Sequence, residues 1–307
     1  MLHNWFERTD QLFIAAYKIV FFVFGVFGNS CFIFLVVKFT KLRSKSSYLQ
    51  SVQCLLHTFC LLGTMIDVSL AFPDIQLDRS SCYPIMAPFV FFEIAQAVVM
   101  LELVLDILIL VQLPGWYKKF DTGNYILISL VLPGVAGIVF ATWGFTNLDD
   151  EEVYFCNPTS SLHNVASKNY TRTIVIINTI IISVFSTLIY KFHQKSQHVN
   201  SDSSKIMRRL QLSVVIFLIS WYITILAYYV CIAAGLEGED LHFVINNLSF
   251  FISLCYSQTF YVIMYKSMEY RKTFYSLIGF RTTPTALSKA SSTRITAVAH
   301  IQTPVLI

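Results

Sequence analysis

Charged side chains are scarce in this 307-residue chain. Only 13% are Asp, Glu, Lys or Arg, about half the roughly 25% of an average soluble domain, whereas 55% are apolar. Such a mixture cannot close around one soluble core without leaving large apolar patches on its surface, which excludes a water-soluble enzyme. Cysteine is sparse too: 7 residues with no Cys-x-x-Cys spacing, so neither a disulfide scaffold nor a zinc site is implied. No His-Glu-x-x-His, Gly-x-Ser-x-Gly or paired membrane Asp motif occurs, and the expectation is no catalysis, no metal and no cofactor. No nucleic-acid motif accompanies the net charge of +4. Aromatic residues, by contrast, are plentiful, with 27 Phe, 16 Tyr and 4 Trp, the opposite of a disordered composition. A lipid-embedded protein remains.

A bilayer core about 30 Å thick needs about 20 apolar residues per helix. Seven such runs can be cut from the chain, at about residues 12–37, 48–72, 84–113, 125–145, 173–192, 212–234 and 243–265. They are too long and too uniformly apolar for the alternating segments of an outer-membrane barrel, so the expectation is an all-α bundle of seven transmembrane helices. The opening MLHNWFERTD is not basic, and the run behind it is too long for a cleaved leader; it reads as the first span. Residues 1–11 are expected outside, 12–280 as the membrane domain, and 281–307 as a disordered tail.

Orientation follows from the cations. Lys38, Lys41, Arg43 and Lys45, then Lys118 and Lys119, then Lys191, Lys195, Lys205, Arg208 and Arg209, then Lys266, Arg271, Lys272, Arg281, Lys289 and Arg294 all fall on one side, 17 of 22. The other side carries most of the acids, including Asp149, Asp150, Glu151 and Glu152. The N-terminus is therefore expected outside and the tail inside. The two sequons, at Asn169 and Asn247, land on the outer side as glycosylation candidates.

Gly28-Asn29 in the first span and Lys41-Leu42-Arg43-Ser44-Lys45 after it resemble the signatures of rhodopsin-like receptors, as does the 24-residue spacing from Cys82 to Asp106 in the third. Further on, Trp143-Gly144-Phe145, Leu148-Asp149-Asp150-Glu151, Phe155-Cys156-Asn157-Pro158, Cys255-Tyr256-Ser257-Gln258 with Tyr261, and Glu269-Tyr270-Arg271-Lys272 resemble the nematode serpentine chemoreceptors of the Srsx class. The likeness runs from about Gly28 to Tyr275. It implies a plasma-membrane receptor of sensory neurons that binds a small-molecule cue and signals through a heterotrimeric G protein. It implies too a disulfide from Cys82 to Cys156, which would tether the long outer loop over the bundle; two thiols left free are the alternative. Homo- or hetero-oligomerisation stays open.

Ionisable groups inside a membrane are costly and default to functional candidates. At 100° per residue Cys82, Phe89, Glu93, Gln96 and Met100 share one stripe of the third helix, with Glu102 and Asp106 on another. A helix polar on two faces belongs at the centre of a bundle. Glu93 reads either as a ligand contact, with Phe89 and Gln96 beside it and Trp221, Tyr222, Tyr228 and Tyr229 as an aromatic wall, or as a buried carboxyl hydrogen-bonded to a neighbouring helix. Aminergic receptors resembling this fold place their Asp where Phe89 stands, which disfavours a biogenic amine unless Glu93 takes the role.

His57 stands where the superfamily has a sodium-coordinating Asp, and a core imidazole bonded to Asn29 or Ser257 is expected instead. Ile107 replaces the Arg that normally follows Asp106, which suggests altered or reduced coupling. Ser257 and Gln258 replace an Asn-Pro pair ahead of Tyr261. Arg208 and Arg209 belong to a basic inner rim, and Tyr270 to Ile278 read as a short amphipathic helix. The alternatives to a signalling receptor are a non-signalling or weakly coupled one, on the ground of Ile107, and, with less support, a channel or transporter, for which no inverted repeat or broken half-helix is visible.

Overall fold

The computed structural model describes residues 2–71, 77–146, 148–153, 156–195, 201–236 and 238–279. The side chains of Arg208, Arg209, Tyr228 and Tyr229, like residues 281–307, lie outside what it describes. Helices dominate: α1 (Leu2–Lys38), α2 (Lys45–Ala71), α3 (Arg79–Gln112), α4 (Pro114–Lys119), α5 (Thr122–Phe145), α6 (Asn164–Lys195), α7 (Ser201–Ala233), α8 (Gly238–Ser257), α9 (Thr259–Lys266) and α10 (Met268–Leu277). Two short strands, β1 (Leu77–Asp78) and β2 (Glu152–Val153), pair antiparallel above α3.

α1, α2, α3, α5 and α6 each contain a stretch long and apolar enough to cross a membrane, and α8 with α9 forms a sixth such span bent by 50°. The 33-residue α7 supplies the last, giving the seven-transmembrane bundle. All seven expected runs lie within these helices to a residue or two. Several helices extend well past them. α6 starts at Asn164 and α7 at Ser201, because polar turns beyond the hydrocarbon still close their i to i−4 hydrogen bonds. α1 likewise begins at Leu2, inside the segment read as an outer extension.

Polar residues in the spans are reconciled with lipid by bonding their own helix. The hydroxyls of Thr58, Thr142, Thr179, Ser183, Thr187 and Thr224 each donate to the carbonyl four residues earlier at 2.7–2.9 Å. α3 is the most buried span and α5 the most lipid-exposed; α3 packs against α2, α5, α6 and α7, the central place its two polar faces require. α5 is capped by Asp121, whose carboxylate accepts from the backbone N–H of Gly123 and Asn124 at 2.9 and 3.2 Å. Helices approach closely where a side chain is missing. A Cβ on Gly144 would meet the Tyr83 ring at 2.0 Å, and one on Gly25 would meet Leu61 at 2.4 Å.

The chain divides into two units, Met1–Ser267 and Met268–Ile307. In the second, α10 is followed by Gly279 at φ +82°, a left-handed position that glycine takes without a Cβ penalty.

Candidate functional site

The outer end of α3 is closed by the loop that follows α5. Cys82 and Cys156 form a disulfide, with Cα atoms 5.6 Å apart. β1 pairs with β2 in the register Leu77 to Val153 and Asp78 to Glu152. The backbone N–H groups of Arg79 and Ser80, which open α3, donate to the carbonyls of Glu151 and Asp149 at 2.9 and 3.1 Å, so the helix head finds its acceptors in the loop. The Arg79 guanidinium also binds the carboxylates of Asp149 and Glu151. Past the disulfide, Asn157 Oδ1 accepts from the N–H groups of Thr159 and Ser160. This turn holds Asn157, Pro158 and Thr159 over the bundle.

Beneath that turn lies a cavity of ≈ 160 Å³. α1 contributes Lys18; α2 gives Cys60, Gly63, Thr64 and Asp67; α3 gives Glu93; α6 gives Tyr170, Thr171 and Ile174; α7 gives Trp221 and Thr224. α8 closes it with Ile245, Asn246, Ser249 and Tyr256 among others. The walls are mostly apolar with a few polar groups, the composition of a small-molecule site. Two polar poles stand out. At one, the Lys18 ammonium binds the Asp67 carboxylate, both buried. At the other, the Tyr170 hydroxyl donates to Glu93.

The structure brings Glu93 and Trp221 to the cavity, but neither Phe89, Gln96 nor Tyr222 is among its lining residues. Phe89 turns toward α2, where its ring fills the notch at Gly63. Gln96 is fully buried one turn deeper, and the Tyr222 hydroxyl lies 3.3 Å from Thr179. A stripe a third of a turn wide spans two neighbouring helices, so sharing it does not mean sharing a pocket. Sequence reasoning missed three participants: Lys18, its partner Asp67, and Tyr170, the middle residue of the Asn169 sequon. The available signal was an ionisable side chain inside each of the first two apolar runs.

Below the cavity a polar layer crosses the bundle. His57 Nε2 lies 2.8 Å from Gln53 Nε2 and 3.3 Å from Gln96 Oε1. The expected bonds to Asn29 or Ser257 are not those it makes: Asn29 Nδ2 donates to the Tyr256 carbonyl at 3.2 Å, and Ser257 Oγ to that of Leu254 at 3.1 Å. The groups bonded here are neutral amides and an imidazole, with no carboxylate among them. Gln258 is buried at the bend between α8 and α9, and the Tyr261 hydroxyl donates to the Phe24 carbonyl at 2.9 Å, tying α9 to α1.

At the inner end Asp106 is fully buried and accepts from Ser46 Oγ. The Tyr117 and Tyr125 hydroxyls and the Lys45 ammonium lie near the same carboxylate, whose Oδ1 has no hydrogen-bond partner among the described residues. Lys45 Nζ donates to the Tyr117 carbonyl and stands 4.4 and 5.0 Å from the ring centres of Tyr117 and Tyr125. Burial and the Asp106 charge raise the pKa of the Tyr117 hydroxyl, so it stays protonated and able to donate. Ile107 sits inside the apolar core; the positive charge near Asp106 comes from α2.

Both sequons fall within helices, Asn169 in α6 and Asn247 in α8. The Asn247 amide donates to the Asp10 carboxylate at 3.3–3.4 Å and to the Phe243 carbonyl at 3.1 Å.

The comparisons with known proteins agree with this architecture. The family model described as serpentine type 7TM GPCR chemoreceptor Srsx matches residues 22–278, from the first span through α10. No curated protein matches the chain. The chain belongs to the Srsx family of serpentine seven-transmembrane chemoreceptors, multi-pass proteins of the plasma membrane.

Proposed function

We propose that this receptor takes up a small-molecule cue in the cavity beneath the disulfide-tethered loop and passes the signal to a heterotrimeric G protein. The observation that carries the reading is the cavity itself. It is formed by six of the seven spans together with the tethered loop, so a ligand inside touches elements that must move relative to one another for the inner end to change. A molecule that binds one arrangement of these helices better than another shifts their population by that difference. Glu93 and Trp221 are the proposed ligand contacts from the sequence-derived set. On the inner side, buried Ile107 presents nothing to a partner, and coupling falls to the other groups of that end, the basic rim with Arg208 and Arg209 included.

The test is expression with a promiscuous G protein and a panel of odorants and metabolites, with Ile107→Arg and the cavity-filling Thr224→Trp in parallel. A response that Thr224→Trp abolishes at equal surface delivery supports the reading. Silence of both wild type and Ile107→Arg, with surface delivery verified, counts against signalling, and a response indifferent to Thr224→Trp counts against the cavity.

A further inference from the structure

The cavity holds three charged residue types, and their partnerships are unequal. Lys18 and Asp67 answer each other. Glu93 receives the hydroxyl of Tyr170, but among the described residues no Lys, Arg or His forms an ion pair with it. A carboxylate among mostly apolar walls is stabilised by a counter-charge as well as by a hydrogen bond. Glu93 keeps part of its surface on the cavity, so that counter-charge can come from whatever the cavity holds. The aromatic side chains of Tyr170, Trp221 and Tyr256 line the same space, and such faces attract cations.

We propose, resting on the reading of this cavity as the ligand site, that the cue is a compact organic monocation whose ammonium is held by Glu93. Size limits the rest of the molecule. A cavity of about 150 Å³ accommodates benzene, so ≈ 160 Å³ suits a single ring or short chain carrying the amine. An anion is disfavoured twice, by Glu93 and by the engagement of Lys18 with Asp67.

Three probes of one shape separate the cases: 2-phenylethylamine, 2-phenylethanol and phenylacetate, titrated against the purified full-length receptor in lipid nanodiscs. The wild type is expected to bind the amine about 10- to 100-fold more tightly than the alcohol, the range of one charged hydrogen bond, with phenylacetate weakest. Glu93→Gln, nearly isosteric, brings amine and alcohol within about 3-fold of each other. Equal wild-type affinity for amine and alcohol, or tighter binding of phenylacetate, overturns the cation and leaves the cavity standing as a ligand site. An amine preference that survives Glu93→Gln overturns the role of Glu93. Absence of binding by all three overturns both readings. Should Glu93→Gln not fold, the wild-type ranking alone decides.

Discussion

Lys18 and Asp67 offer the sharpest test of what holds the outer half of the bundle together. Their side chains are 3% and 8% exposed, which removes them from the class of surface ion pairs contributing about 0–1 kcal/mol. In the buried class, removing one partner strands a charge and costs about 3–5 kcal/mol, while replacing both by apolar groups of similar volume is close to neutral or stabilising. Lys18→Met is therefore expected to lose about 3–5 kcal/mol and Asp67→Leu a comparable amount, whereas the double variant recovers most of it. At 1.4 kcal/mol per factor of ten, each single loss is roughly two to three and a half powers of ten in the folded ratio. Denaturant titration of the purified receptor in micelles, read by intrinsic fluorescence, gives the four corners of the cycle. The pairs of Arg79 supply an internal control: Asp149 and Glu151 are 37% and 63% exposed, and Glu151→Gln is expected to lose about 1 kcal/mol or less. A double variant as damaged as the sum of the two singles would refute the argument, since the damage would then come from lost packing and not from stranded charge.

Replacing both Cys82 and Cys156 with Ser opens a loop of sequence separation 74; the chain-entropy relation assigns such a loop about 4.5 kcal/mol, and wild type should lose thermal stability in reductant while the double variant does not respond. Gly144→Ala places a methyl 2.0 Å from the Tyr83 ring and displaces a hydroxyl that donates to the Ala141 carbonyl at 2.6 Å. The expected loss is about 1–3 kcal/mol and is expected to vanish when Gly144→Ala is made in a Tyr83→Val background, and an unchanged melting midpoint for Gly144→Ala contradicts it. Among the described residues the layer around His57 contains amides and no carboxylate, so exchanging sodium for potassium should leave the affinity of any bound probe unchanged. His57→Asp should introduce a sodium dependence; a sodium effect already present in wild type would show that the layer does not set it.

The seven spans were legible because hydrocarbon thickness imposes a minimum length that few soluble helices reach. The same signal is silent about polar ends, which is why Asn169 was read as lying on an outer connection and is found in the second turn of α6. Spacing also placed Phe89 and Glu93 on one stripe correctly as angles, but the 40° between residues four apart is enough to aim one at α2 and the other at α6. The setting of Asp106 could not be read at all. Its donor Ser46 is 60 residues away in the chain, Lys45 and Tyr117 belong to the ends of other helices, and nothing local to Asp106-Ile107-Leu108 announces them. The pairing of Lys18 with Asp67 was hidden for the same reason, since each residue alone reads as a stray charge in an apolar run.

Gln258 gives the last span an unusual kind of joint. The 50° break falls at this residue, yet its own dihedrals, φ −81° and ψ −22°, remain those of a right-handed helix. A proline would make the bend permanent by deleting an amide hydrogen and crowding the preceding turn with its ring; glutamine does neither. The elbow is consequently held by its neighbours and not by covalent structure, and whatever repacks those neighbours is able to straighten it.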